Sequence, residues 1–338
     1  MRKIKAIALY SGGLDSILVI KLIKKQNIDV IGLRFETPFT DTKKCSYSYE
    51  EEYLNIPFIK KDISADFQKI LSNPRHGYGK NINPCIDCRI LMFRKAGEIM
   101  EEKQASFIVS GEVLGQRPMT QNKKSLLMIS DESNYGEWII RPLSALLLPE
   151  TEPEKRGLVD RSHFLDIQGR SRKRQIELAN IWGLKKYPAP ASGCKLTEPG
   201  FAKRLKDLLT KTNYTKNDID LLKVGRHFTL DKQVKLVVGR NEKENNIIYL
   251  LASRKDYLLS SGKYKGPVSL LRVYNNTVAG NVKINKLLDL AGKITARYCD
   301  KPSLSDLIDI NITKTEAGLY KTNYVLAFSD QEINKFRI

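Results

Sequence analysis

The chain has 338 residues, 41% of them apolar, and carries 57 Lys and Arg against 38 Asp and Glu, a formal net charge of +19. That length accommodates about two domains, and the apolar share suits ordinary buried cores, which excludes a fibrous or unfolded chain. The longest apolar runs, such as 143–148, are far too short to span a membrane, and five cysteines are too few and too scattered for a disulfide scaffold.

In chain order, short apolar runs predict strands at 4–10, 30–35, 58–62 and 107–110, and helices fill 14–26, 48–54 and 87–103. This alternation implies an α/β fold with a doubly wound parallel sheet over the first part of the chain. The opening residues, Met-Arg-Lys-Ile-Lys, lead straight into the first strand and do not read as a signal peptide. A cytoplasmic, reducing location is therefore expected, where cysteines serve metal or redox chemistry. Between the first strand and the first helix stands Ser11-Gly12-Gly13-Leu14-Asp15-Ser16. A strand that turns through two glycines into a helix aims several backbone N–H groups at one point and suits an anion. It is not a Walker A sequence, because no Lys follows the glycines.

Residues 111–200 are loop-rich. They include "GEVLGQRPMTQ" and a helix, "GRSRKRQIELANIWGL", whose first turn holds Arg170, Arg172, Lys173 and Arg174. Positive charge there opposes the helix dipole, so a phosphate or a neighbouring carboxylate is expected beside it. Residues 201–217 read as a basic helical connector, and 218–338 as a smaller, β-rich α+β domain. The charge excess points to a polyanionic partner, nucleic acid first, with a solvated lysine-rich surface as the alternative.

Cys85 and Cys88 form a C-x2-C pair where Pro84 ends a loop and a helix begins, and Cys194 follows in a Gly/Pro-rich turn. Two thiolates at that spacing either ligate one metal or act as a redox pair. A four-ligand zinc site would need Cys45, His76 or His163 as well, whereas Cys299 and Cys45 otherwise read as ordinary thiols and His227 is a poor ligand candidate.

The SGGLDS loop resembles, at all six positions, the loop of the ATP pyrophosphatase (PP-loop) families. The resemblance implies an adenine nucleotide alpha hydrolase-like domain over 1–200. It implies that Ser11, Gly12, Gly13, Leu14, Asp15 and Ser16 bind ATP and Mg²⁺, and that the reaction releases AMP and pyrophosphate. "SGEVLGQRPMTQ" is similar to a stretch of the tRNA 4-thiouridine synthetases, with Gly111, Glu112, Leu114, Gly115, Gln116 and Gln121 coinciding, which adds Gly111 and Gln116 to the nucleotide site. The chain departs from that family by starting its loop at residue 11, by having no recognisable rhodanese domain and by its extra C-x2-C. The three cysteines resemble the cluster ligands of iron–sulfur-dependent tRNA thiolation enzymes, in which a [4Fe–4S] cluster on Cys85, Cys88 and Cys194 would leave one iron open to sulfide. "NPCIDC" also resembles the catalytic stretch of the cluster-free 2-thiouridylases, which would use a persulfide. Both imply that Asp15, Cys85, Cys88 and Cys194 serve catalysis, that tRNA is the substrate, and that sulfide or a cysteine desulfurase persulfide donates sulfur. "GRHF" and "KLVVGRNEKEN" resemble the RNA-binding domain of the NFACT family, which implies RNA contact over 218–338. The alternatives are sulfur transfer to a small-molecule precursor and a non-catalytic, zinc-containing RNA-binding factor.

Overall fold

The computed structural model describes residues 3–40, 54–184, 187, 194–275, 281–300 and 305–338. The chain divides into two compact units, Met1–Thr197 and Glu198–Ile338.

In the first unit the elements run β1 (Lys5–Leu9), α1 (Leu14–Lys24), β2 (Asp29–Glu36), β3 (Phe58–Asp62), α2 (Ser64–Ser72), α3 (Cys85–Glu102), β4 (Phe107–Val109), α4 (Lys123–Glu132), β5 (Ile139–Ile140), α5 (Glu152–Lys155) and α6 (Lys173–Ile181). The strands form one parallel sheet in the order β3-β2-β1-β4-β5. The first strand is buried from Ala6 to Leu9, as a central parallel strand must be. Ala6 and Ala8 face α1 and α6 in one core, with Ile17, Leu18, Phe107, Val109 and Ala179. Successive side chains of a strand point to opposite faces, so Ile7 and Leu9 face the other layer. That layer contains α3, which packs on β1 and β4 and against α2 and α4. The doubly wound reading is therefore observed. The expected helix at 48–54 and Cys45 lie outside the described residues, apart from Leu54. β5 escapes the sequence because two residues carry no periodicity.

The second unit contains α7 (Pro199–Leu209), α8 (Lys216–Leu221), β6 (Arg226–Asp231), β7 (Val234–Val238), α9 (Glu242–Leu251), β8 (Tyr257–Ser261), β9 (Ser269–Val273), α10 (Asn281–Arg297), β10 (Ile308–Lys314), β11 (Gly318–Val325) and α11 (Asp330–Asn334). Its six antiparallel strands are ordered β11-β10-β8-β9-β7-β6. One face packs on α10 through Leu236, Leu271, Ile310 and Leu288, and the other on α8 and α9 through Val237, Leu270, Leu221 and Ile248. The stretch 201–217, expected as a connector, lies within this unit. Phe201, Ala202, Leu205 and Leu208 give α7 one apolar face, and all four are buried.

Candidate active site

The chain runs from β1 to β2 and β3 on one side and returns to β4 on the other, so the sheet reverses direction between β1 and β4. Open α/β sheets bind ligands outside the carboxyl ends of the strands at such a reversal. The loop after β1 is Ser11–Ser16, and the loop after β4 begins at Ser110-Gly111. Gly12 takes φ +76, the left-handed region, and Gly13 is the N-cap of α1. Gly13 offers no capping side chain, so the N-terminal N–H groups of α1 stay available to an anion. Ser16 Oγ donates to the Gly13 carbonyl at 2.6 Å and Ser11 Oγ stands 3.5 Å from Ser16 Oγ, which fixes the turn. Leu14 is fully buried in the core, so only its backbone faces the loop. A Cβ on Gly111 would stand 2.9 Å from the Asp15 carbonyl carbon and 3.0 Å from Ser16 N, so the two loops touch backbone to backbone where only glycine fits.

Gln116 Nε2 donates to Asp15 Oδ2 at 3.2 Å, and Arg172 Nη2 lies 3.8 Å from Asp15 Oδ1. Burial raises the Asp15 carboxyl above its usual range, opposed by Arg172, the Gln116 hydrogen bond and Arg117. Asp15 Oδ1 and Arg172 Nε are buried and make no hydrogen bond. Arg174 takes the carboxylate alternative foreseen for this basic turn, pairing with Asp166 at 2.7 Å.

The cysteines lie at the same end of the sheet, because α3 starts at Cys85 and runs down to the amino end of β4. Asp87, between them, is buried and accepts from Arg75 N at 2.9 Å and His76 N at 3.1 Å, which pins the preceding loop to the helix. Asn83 Nδ2 donates to Cys85 Sγ at 3.0 Å, while its Oδ1 accepts from Asn81 N at 3.2 Å. Asn81 Nδ2 in turn donates to the Thr197 carbonyl at 2.8 Å, and Thr197 Oγ1 donates to the Cys194 carbonyl at 2.8 Å. Cys194 pairs with Thr40 in an isolated bridge just past the carboxyl end of β2. The structure thus brings the distant cysteine to the pair, and the charges of Cys85 and Cys194 both act on Cys88. Burial is the largest cause that pushes the Cys88 thiol up to about 12, against Arg89. Among the described residues no three His, Cys, Asp or Glu side chains are grouped so as to hold a metal ion. His76 and His163, the zinc alternatives, pair with Glu132 and Asp160 at 3.1 Å each.

Between the two halves of the site stands Arg117, on the loop after β4. Its guanidinium feels Cys85, Asp15, Glu112 and Arg89, and the surrounding protein lowers its pKa, yet the side chain reaches solvent. Glu112, 2% exposed, meets Arg141 Nε at 3.0 Å and Arg89 Nε at 3.5 Å, so a buried carboxylate holds the arginine that follows Cys88. Arg89, Arg117 and Arg141 were missed as site residues, whereas Arg172 belongs to the basic turn the sequence singled out and meets Asp15 there. The signal available for them was position: Arg89 follows Cys88, and Arg117 and Arg141 each precede a proline.

Residues 2–147 match the family described as Thiamine biosynthesis protein (ThiI), and residues 225–337 match the NFACT protein RNA binding domain. The chain is 28% identical over 202 residues to a tRNA-specific 2-thiouridylase, MnmA 1, of Fusobacterium nucleatum subsp. nucleatum, covering 56% of this chain and 54% of that protein. It therefore spans about half the length of that relative. It is 25% identical over 286 residues to the tRNA-specific 2-thiouridylase MnmA of Petrotoga mobilis, covering 75% and 74%. A solved 4-thiouridine synthetase–RNA complex with bound ATP superposes at TM-score 0.38 and 21% identity, covering 65% of this chain and 52% of that one. The chain joins a PP-loop domain of the ThiI family, over residues 2–147, to a domain of the NFACT RNA-binding family, over residues 225–337.

Proposed function

We propose that the chain is an ATP-dependent tRNA sulfurtransferase. The single observation that carries the reading is geometric: the glycine loop at the start of α1 meets Gly111 of the loop after β4 backbone to backbone, and α3 begins with Cys85 and Cys88 at the same end of the sheet. The curated relatives named as tRNA 2-thiouridylases support the same substrate.

In this reading the α1 N–H groups and the Ser11 and Ser16 hydroxyls hold the pyrophosphate part of ATP. Asp15 Oδ1, which makes no hydrogen bond, is the oxygen for Mg²⁺, and Arg172 and Arg117 neutralise phosphate charge. A uracil carbonyl oxygen attacks the α-phosphorus and pyrophosphate leaves, which gives an adenylated base. Sulfide then attacks the ring carbon, the carbon–oxygen bond breaks, and AMP departs with the oxygen. The base has to leave its stack to reach this site, and the second unit supplies affinity for the rest of the tRNA.

Cys85, Cys88 and Cys194 are the residues that would hold a [4Fe–4S] cluster. Two thiols opening α3 and a third acting electrostatically on Cys88 are the right donor chemistry, although among the described residues no three such side chains are grouped around one point. When bound, such a cluster supplies an iron open to sulfide. A second reading, a persulfide carried by Cys85, is favoured by its surroundings: Asn83 Nδ2 donates to Cys85 Sγ at 3.0 Å, and Arg117 acts on it electrostatically.

Asp15→Asn should lower tRNA-dependent pyrophosphate release by about 100-fold or more. Cys85→Ala, Cys88→Ala and Cys194→Ala should each stop thiolation and leave adenylation intact, read by mass spectrometry of tRNA nucleosides. Protein purified without oxygen should contain close to four irons per chain. Full activity in an iron-free preparation selects the persulfide, and unchanged nucleosides in cells lacking the protein reject tRNA thiolation.

A further inference from the structure

The second unit carries 25 Lys and Arg against 15 Asp and Glu over 198–338, and part of this excess is gathered at one end of the β6–β7 hairpin. Arg226 opens β6 and Arg240 follows β7. Arg226 Nη1 donates to the Gly239 carbonyl at 3.2 Å, and Arg240 Nη2 donates to the Gly225 carbonyl at 2.9 Å. Each arginine is thus fixed by the backbone of the opposite strand. Gly225 sits at φ +74, and a Cβ there would stand 2.7 Å from Val237 and 2.9 Å from the Val238 carbonyl, so the close approach requires glycine. Arg204 of α7 acts electrostatically on Arg240, and its Nε is buried without a hydrogen-bond partner. The Arg226 guanidinium lies over the Tyr298 ring, 4.4 Å from its centroid, and Arg337 Nη2 donates to the Tyr298 hydroxyl at 2.7 Å.

Like charges gathered this closely need an anion. The carboxylates facing them are Glu244, which meets Arg240 Nε at 3.2 Å, and Glu198, which acts on Arg204. Beneath the cluster, Lys211 and Lys235 share the single carboxylate of Asp207 at 3.0 and 2.8 Å. His227 is 2% exposed and its Nδ1 has no hydrogen-bond partner. Burial depresses its pKa first, and then Lys235, Arg204 and Arg240 add to the effect. The local balance stays positive.

We infer that Arg204, Arg226, Arg240 and Arg337 form a phosphate-binding subsite for the RNA backbone, with Tyr298 as its apolar floor. Guanidinium groups suit this role because their planar forks match phosphate oxygens and stack on aromatic rings. The inference rests on the tRNA reading above and adds where the second unit grips the RNA.

The test uses the full chain, a fluorescently labelled tRNA transcript and a series of salt concentrations. Arg204→Gln, Arg337→Gln and Arg226→Gln should each weaken binding about three- to tenfold, and each should lower the salt slope by about one. Arg226→Lys should recover part of the loss, and the thermal midpoint of Arg204→Gln should match wild type, which separates a lost contact from a lost fold. Unlabelled homopolymeric RNA should displace the tRNA, while inorganic phosphate and ATP should not. Displacement by ATP as effective as by RNA would overturn the backbone assignment in favour of a free phosphate compound. Wild-type binding with unchanged affinity and slope in all three Gln variants overturns the subsite alone, whereas absence of tRNA binding by the wild type overturns the tRNA reading with it.

Discussion

Two sets of buried charges divide the molecule. In the second unit, Arg272 spends every donor: Nε on both oxygens of Asp256, at 3.1 and 3.2 Å; Nη1 on Asp218 and Asn217, at 2.7 and 2.8 Å; Nη2 on Asp256 and the Leu251 carbonyl, at 2.6 and 2.8 Å. In the first unit, Asp15 Oδ1 has no hydrogen bond, its nearest arginine stands off at 3.8 Å, and Glu112 Oε1 and Arg172 Nε are also left without hydrogen bonds. Buried polar groups that find all their partners hold a fold together, whereas those left short of a partner are the natural place to look for a bound group. The contrast sets a closed ion network against the groups proposed above to meet the nucleotide.

The largest expected effect is on the satisfied network. Arg272→Met leaves Asp218 and Asp256 buried without their cation, and should cost the second unit about 3–5 kcal/mol in urea unfolding. A loss comparable to a surface substitution would mean that the network is not holding the unit. Next, Gly111→Ala drives a methyl group into the backbone of Asp15 and Ser16. It should reduce tRNA-dependent pyrophosphate release by about 100-fold and lower the thermal midpoint as well, whereas Gly200→Ala, which meets open space, should leave both unchanged.

A third effect sharpens the contrast through pH. Burial pulls Lys235 from its ordinary 10.5 down to about 8, against the attraction of Asp207. Between those values the unfolded chain holds a proton that the folded chain has released, so stability rises with pH across about 8 to 10.5. The gain is on the order of 3 kcal/mol. Urea midpoints at the two ends of that window should differ in wild type and converge in Lys235→Met. The smallest effect is Gln116→Ala, which frees Asp15 from its hydrogen bond. It should raise the KM for ATP about fivefold and leave unfolding unaffected, and an unchanged KM would remove Gln116 from the nucleotide site.

The alternating first unit was legible because buried parallel strands read as short apolar runs between helices. The glycine loop was legible because its backbone geometry demands particular residues. α7 was read as a helix, as its apolar residues Phe201, Ala202, Leu205 and Leu208 at helical spacing require, but as a connector, because nothing in the stretch itself shows that this face is buried. Arg172 was marked by its basic first turn, and it meets the carboxylate expected there, Asp15. Arg89 and Arg117 stand out in the sequence only by lying beside Cys88 and Pro118, which does not say that they will meet Glu112 or Asp15. Cys194 was grouped with Cys85 and Cys88 by resemblance, and the physical link, through Asn81, Asn83 and Thr197, is visible only in the fold.

The crossover from β3 to β4 passes over two strands to reach the far side of β1, and it carries Cys85 and Cys88 on α3. The groups assigned to the nucleotide sit instead at the ends of β1 and β4, on loops that touch through Gly111. The thiol pair and the glycine loop are therefore carried on separable stretches of chain. A replacement of the segment between β3 and β4 would remove Cys85 and Cys88 as a cassette, while Cys194 and the loops after β1 and β4 stayed where they are.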